Sequence, residues 1–183
     1  MKKRSMSIVS PNINCSEKEF VVQDGALLYP LSAIHGVNEL LINNILDERE
    51  KGPFKDFFDF VSRMYGYKIS ETQINKLIDA GCFDVFAPNR ASYRASVKSA
   101  IQYAELTYSE DGQLDLGVSS LIKPYLVEDF DDPIENLDME YDVLGIMLSN
   151  NPLHYKADIL RAKNIDSISD AKEKINSKIA GLS

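Results

Sequence analysis

The amino-acid sequence predicts a mainly α-helical protein with a small β-hairpin near its N-terminus. Apolar residues recur at spacings of three and four along most of the chain after residue 30, as in helices that pack on one face. Residues that commonly cap helices, such as Ser70 and Asn89, stand directly before several of these stretches. We therefore predict a lead-in with the hairpin over residues 1–30, a helical domain over 31–107, an acidic linker over 108–132 and a helical connector over 133–183.

The lead-in contains three short apolar runs with strand character. Ser7–Val9 is halted by Pro11, whereas Phe20–Val22 is joined to Ala26–Tyr29 through Gln23-Asp24-Gly25. An Asp-Gly pair between two apolar runs is a frequent hairpin turn. These last two runs form the predicted hairpin, which leads into the first helical segment.

A tight corner between two helical segments follows the hairpin. Leu31–Ile34 is an apolar turn, His35–Asn38 forms the corner, and the next helix carries apolar residues at Leu40, Leu41, Ile45 and Leu46. Gly36 permits a positive φ there, and Asn38 either tolerates a left-handed conformation or caps the helix. The N–H groups from Gly36 to Glu39 then lie at a helix N-terminus without intrahelical acceptors, which suits a phosphate oxygen. A plain corner whose amides bind water is the alternative.

Two further helices precede the second corner. Pro53 suits the first turn of one of them, whose predicted inward residues are Phe54, Phe57, Phe58, Val61 and Met64. The other begins at a capping box formed by Ser70 and Gln73 and ends at Gly81, with Ile74, Leu77 and Ile78 inward. We interpret the aromatic residues as core rather than as a base-stacking platform.

The second corner repeats the order of the first: helix, short glycine-led turn, helix. Gly81–Phe83 turns the chain, and Asn89 caps a long helix to about Leu106 with Tyr93, Val97, Ile101 and Ala104 inward. The exposed face of this helix offers a basic stripe at helical spacing, made of Arg90, Arg94 and Lys98. Such a stripe is commonly a solvated face. Next to the first corner, it also suits a phosphate-facing edge.

The negative charge of the chain is concentrated in one segment. The formal net charge is −8, and residues 105–145 hold twelve acidic residues and one basic residue, which leaves +3 for the remainder. A near-neutral helical part can touch a few phosphates, but it is not basic enough to hold DNA alone at physiological salt.

The end of the chain is predicted to be helical again. Pro133 opens a helix with Leu137, Tyr141, Leu144, Met147 and Leu148 on its apolar side, and Asn151-Pro152 breaks it. We predict further helices near residues 155–163 and 169–175, and strand character over 178–183.

Several classes of protein are not supported by the sequence. No apolar run approaches the ~20 residues of a membrane span, and no signal peptide is recognisable, so we expect a cytoplasmic protein without a membrane partner. Cys15 and Cys82 are far apart in sequence and are predicted to be reduced. Neither His35 nor His154 has a nucleophile arranged beside it, so we predict no catalytic residue, no metal site and no cofactor.

Several separated motifs resemble one protein family in the same order. They are Ser10–Phe20, Leu31–Asn38, Gly52–Asp56, Asp59–Arg63, Leu77–Asp84, Asn89-Arg90 and Glu140–Tyr155. Together they resemble the alpha subunit of bacterial DNA polymerase III, over roughly residues 8–155. The resemblance implies that 31–107 is a tandem helix-hairpin-helix domain and that 133–183 ends at the start of an OB domain.

The resemblance also implies a function. The chain would be a segment of a DNA-directed DNA polymerase, a nucleotidyltransferase whose catalytic aspartates lie outside this segment. Its implied role is to bind duplex DNA behind the active site through the sugar-phosphate backbone, without reading sequence. The implied phosphate-binding residues are His35, Gly36, Val37, Asn38, Gly81, Cys82, Phe83, Asn89 and Arg90, to which the basic stripe adds Arg94 and Lys98. Family members usually carry glycine at the position of Asn38.

A second partner is implied by the acidic segment. Gln113-Leu114-Asp115-Leu116 resembles the start of the peptide by which such polymerases hold the ring-shaped sliding clamp. That peptide normally ends in an aromatic residue that fills an apolar pocket, and here Gly117 follows. A clamp-binding scaffold and a flexible acidic linker both remain open. The expected partners are therefore double-stranded DNA, the sliding clamp and the rest of the polymerase polypeptide.

Overall fold

The computed structural model describes residues 7–108 and 122–149, and its described part is mainly α-helical, as predicted. Three strands come first, β1 (Ile8–Val9), β2 (Val21–Gln23) and β3 (Ala26–Leu28), followed by a 3-10 turn at Leu31–Ala33. Five helices follow: α1 (Glu39–Glu50), α2 (Phe57–Tyr65), α3 (Glu71–Asp79), α4 (Arg90–Thr107) and α5 (Pro133–Leu144). The predicted elements beyond residue 149 lie outside the described residues, as does Gln113–Leu116.

The strands form a small sheet in the order β1-β3-β2. β2 and β3 are antiparallel with Val22 opposite Leu27, which confirms the predicted hairpin, and β1 pairs with β3 in parallel. Asp24 and Gly25 both have positive φ, 51° and 81°, as a two-residue type I′ turn requires. The short sheet leads directly into the first corner.

The helices enclose an apolar core rich in aromatic rings. Helix α2 packs against α4 and α1, and α3 packs against α4 and α5. The ring of Phe57 lies 5.1 Å from those of Phe83 and Tyr93, centroid to centroid, and Phe60 lies 5.0 Å from Phe83. All four rings are buried, which confirms that the aromatic residues are core. Edge-on packing of aromatic rings stabilises the fold by more than the burial of their apolar surface alone.

Two predicted helix starts are confirmed, whereas a third start and one helix face differ from the prediction. Ser70 and Gln73 form the predicted capping box, and Asn89 caps α4. By contrast, α2 begins four residues after Pro53, because the Asp56 side chain caps it by accepting from the N–H of Asp59. In α1, Leu40 is 68% exposed and Ile42 is buried in its place.

The last described helix is shorter than predicted. Gly145 adopts φ 71° and ends α5 at Leu144, so the predicted continuation to residue 150 is wrong. Tyr141 is 54% exposed, and Val143 fills the core position that was assigned to it. Residues 122–132 are neither helix nor strand and run along α4, where the N–H of Val127 donates to Ser96 Oγ at 2.8 Å and that of Asp129 donates to Ser92 Oγ at 3.2 Å. This part of the acidic linker is therefore attached to the domain.

Candidate nucleic-acid interface

The first corner has the backbone geometry that the sequence predicted. The chain turns at Gly36, which has φ 89°, and the N–H of Val37 donates to the carbonyl of Ile34 at 3.1 Å. Asn38 has φ −88° and caps α1, because its side-chain oxygen accepts from the N–H of Leu41 at 2.8 Å. Of the two roles proposed for Asn38, the structure shows the cap.

Three main-chain donors at this corner lack an acceptor among the described residues. Gly36, Asn38 and Glu39 are exposed, and within residues 7–108 and 122–149 their N–H groups meet no hydrogen-bond acceptor. The neighbouring His35 N–H is occupied, since it donates to the carbonyl of Val143 at 2.8 Å. Unpaired donors at a helix N-terminus carry a partial positive charge, which attracts anions.

A lysine that sequence reasoning missed lies beside these donors. A Cβ placed on Gly36 would be 3.3 Å from Cγ of Lys76, so the side chain of Lys76 passes directly over the corner. No carboxylate of the described residues pairs with Lys76. The nearby negative charge of Glu39 is paired with Lys18; a hydrogen bond and the opposite charge lower the pKa of Glu39 and raise that of Lys18. The corner therefore combines free amides with one unpaired cation.

The second corner is built differently and is closed. Gly81, Cys82 and Phe83 are buried, and the N–H groups of Gly81 and Cys82 donate to Ile78 at 2.9 Å and Leu77 at 3.0 Å. The carbonyl of Cys82 accepts from the N–H of Ile13 at 2.9 Å, and burial raises the pKa of the Cys82 thiol. The expectation of two corners with free donors is thus wrong for the second one, because the N–H groups of Gly81 and Cys82 are paired and the corner is buried.

The guanidinium of Arg90 covers the second corner. Arg90 is 3% exposed, and its Nη2 lies 2.6 Å from Asp84 Oδ2 while its Nη1 lies 2.7 Å from Glu140 Oε2. Burial alone would lower the pKa of Arg90, but hydrogen bonds to Asp84 and Glu140 raise it, so the group stays charged. The prediction that Arg90 lies on an exposed stripe is wrong, because these two carboxylates draw it into the interior.

Of the other two residues of the basic stripe, Arg94 is held by neighbouring side chains and Lys98 is exposed. Arg94 Nε lies 2.8 Å from Asp79 Oδ1, and its Nη2 donates to Asn136 Oδ1 at 3.0 Å. Asn89 is also occupied: its Oδ1 accepts from the N–H of Ser92, and its Nδ2 donates to the carbonyl of Asp129. Lys98 is exposed, as predicted. Only one member of the basic stripe is therefore free of these intramolecular contacts.

Other kinds of site are not supported within the part of the chain that the structure describes. No cluster of three or more His, Cys, Asp or Glu residues is arranged to hold a metal ion among those residues. None of the helices in the described ranges has the length and apolarity needed to cross a membrane.

The chain is similar in sequence to one motif family and to the alpha subunits of several bacterial DNA polymerases. The helix-hairpin-helix motif family matches residues 5–93, a range that contains both corners, so this part of the chain is of the helix-hairpin-helix class. The chain is 33% identical over 182 residues to DNA polymerase III subunit alpha of Bacillus subtilis, covering 98% of this chain and 16% of that protein. It is 35% identical over 162 residues to the same subunit of Vibrio cholerae, covering 83% of this chain and 14% of that protein.

The chain therefore belongs to the DNA polymerase III alpha subunit family and corresponds to a segment of such a subunit. It spans only part of the length of the relatives it matches, for example 16% of the proteins from Bacillus subtilis and Treponema pallidum.

Proposed function

We propose that this chain is a DNA-binding segment of a replicative DNA polymerase and that it contacts the sugar-phosphate backbone of duplex DNA through its first corner. The observation that carries the proposal is the group of three N–H donors at the exposed residues Gly36, Asn38 and Glu39, which have no acceptor among the described residues, with Lys76 beside them. A phosphate group is the anion that matches such a site, because the free N–H groups, the helix dipole and the ammonium of Lys76 all favour negative charge.

Such a contact is independent of DNA sequence. Phosphates are the same at every base pair, so amide and lysine contacts position the protein without specifying bases. One corner neutralises few charges, and the chain carries a net charge of −8, so the segment acts as one contact of a larger DNA-binding surface supplied by the polymerase. Lys98 is a candidate for an additional phosphate contact on α4.

The second corner has a different part in this proposal. Gly81, Cys82 and Phe83 are buried, and Asn89, Arg90 and Arg94 are held by other side chains or by main-chain groups. These residues support the first corner rather than touch DNA. The clamp-binding function of Gln113–Leu116 stays a prediction, since those residues lie outside the described part of the chain.

Lys76→Ala is expected to weaken duplex binding and to lower its salt dependence. Each phosphate neutralised contributes about 0.9 to the slope of log affinity against log salt, so the slope should fall by about one. Fluorescence anisotropy with a labelled duplex, measured over a series of salt concentrations, checks this. Lys55→Ala removes a positive charge at an exposed position outside both corners and serves as the control. Equal changes in the two variants would contradict a contact localised at the first corner.

Asn38→Asp is expected to lower duplex affinity without lowering the stability of the fold. Aspartate caps helices as well as asparagine and complements the dipole, so stability should stay within about 0.5 kcal/mol of the parent. Its charge repels a phosphate at the adjacent amides, so duplex affinity should fall about tenfold. Ser70→Asp places the same charge at the cap of α3 and is the matched control. Similar affinities of the two variants would argue against phosphate at Gly36.

A further inference from the structure

Helix α5 contacts both corners, although it lies outside the residues that the helix-hairpin-helix family matches. Through Glu140 it holds Arg90, which covers the second corner. One turn later, the carbonyl of Val143 accepts from the N–H of His35 at 2.8 Å, and the carbonyl of Asp142 lies 3.3 Å from His35 Nδ1. The same short helix thus contacts the second corner through Arg90 and the first corner through His35.

The contacts at the first corner use groups that a helix normally leaves free. The last four carbonyls of a helix have no intrahelical partner and need other donors. In α5 the carbonyl of Val143 receives the N–H of His35, and that of Leu144 receives the hydroxyl of Tyr29 at 2.8 Å. The C-terminal turn of α5 is therefore docked directly against the residue that precedes Gly36.

The contacts at the second corner fix where α5 can lie. Glu140 has no exposed surface, and besides Arg90 it accepts hydrogen bonds from the N–H groups of Leu148 and Ser149. A buried carboxylate with this many donors has one well-defined position, because each lost donor would leave a desolvated charge less compensated. Glu140 thereby sets the distance of α5 from Arg90 and the path of the chain after Gly145.

We propose that α5 is a brace that holds the first corner in its phosphate-accepting geometry, with Glu140 as the positioning residue. This inference rests on the proposed function, because it assigns to Glu140 an indirect effect on DNA binding. No contact between Glu140 and DNA is involved.

Glu140→Gln gives a test in which position and charge predict opposite results. The substitution removes a negative charge, so electrostatics alone would strengthen binding to a polyanion. A brace predicts weaker binding, by about fivefold, because the corner loses its fixed position. Duplex affinity of the 183-residue chain is measured by anisotropy, and exchange of the His35 amide hydrogen is measured by NMR. We expect faster exchange of that amide, since its acceptor is the carbonyl of Val143.

The matched control is Glu135→Gln, which makes the same charge change at an exposed residue of α5. Ser149→Ala, which removes a hydroxyl donor to Glu140, provides a milder second variant and should show about a twofold effect in the same direction if Glu140→Gln does not fold. The brace is overturned if Glu140→Gln, or Ser149→Ala in its place, binds DNA as Glu135→Gln does and leaves exchange at His35 unchanged. If the parent chain binds no duplex, the proposed function fails, while exchange at His35 still decides whether the brace exists.

Discussion

Replacing Gly81 with alanine is expected to lower the free energy of unfolding by about 4 kcal/mol. Gly81 has φ 82°, and a Cβ there would lie 2.3 Å from Arg90 Nη2 and 2.9 Å from Asp84 Oδ2. The methyl group must therefore displace a buried guanidinium from its carboxylate in addition to straining the backbone. Urea unfolding followed by circular dichroism gives the free energy directly.

Gly25→Ala is the control for the backbone contribution. Gly25 has φ 81°, nearly the same as Gly81, and no atom lies within 4 Å of a Cβ built on it. This substitution should cost about 1 kcal/mol, the strain of a left-handed alanine alone. Equal losses for the two variants would mean that the contact of Arg90 with Gly81 is not tight.

Arg90→Leu is expected to cost about 3–5 kcal/mol, because it leaves the buried carboxylate of Glu140 without its cation. Glu140 lies 2.7 Å from Arg90 Nη1 and has no exposed surface. The double variant Arg90→Leu with Glu140→Leu removes both charges and should be more stable than Arg90→Leu alone. Thermal and urea unfolding of the two variants and the parent measure the difference.

Lys98→Leu, at an exposed position on the same helix, is the control and should change stability by less than about 0.5 kcal/mol. If Arg90→Leu were equally mild, or if the double variant were the less stable of the pair, the ion pair would not have the structural role that its burial indicates.

Local signals in the sequence predicted local structure well. The Asp24-Gly25 turn, the Ser70 capping box and the Asn89 cap depend on residues no more than three positions apart, so each can be recognised from a short segment. The corner at Gly36 belongs to the same class, because its φ of 89° answers a requirement of the turn itself. The backbone turn of the first corner was therefore predictable from the sequence.

The side chains that surround the two corners were not predictable, because their positions depend on contacts between residues distant in sequence. Arg90 looks like a surface residue until Glu140, fifty positions later, is brought next to it. Lys76 shows no local feature that would place it over Gly36, forty positions earlier. The resemblance to a tandem helix-hairpin-helix domain suggested two equivalent corners. In the structure, Arg90 and Glu140 cover the second corner, whereas the first keeps unpaired N–H groups beside Lys76.

The prediction of which helix residues are buried was wrong where more than one set of apolar residues fits the helical spacing. In α1, Leu40, Leu41, Ile42, Ile45 and Leu46 are all apolar, so spacing alone does not decide between Leu40 and Ile42. In α5, Tyr141 and Val143 compete in the same way, and the buried Glu140 would not be assigned to the core by hydrophobicity. Tertiary packing decided each case.

The docking of α5 against the N-terminal part of the domain has a consequence for biosynthesis. The hydroxyl of Tyr29 and the carbonyl of Leu144 are separated by 115 positions, and His35 and Asp142 by 107. In a chain that emerges from the ribosome N-terminus first, the Tyr29 hydroxyl and the His35 N–H lack these partners until more than a hundred further residues have been translated. Since closing such long loops is entropically costly and slow, completion of the first corner is a late event in folding, well after the hairpin and the individual helices have formed.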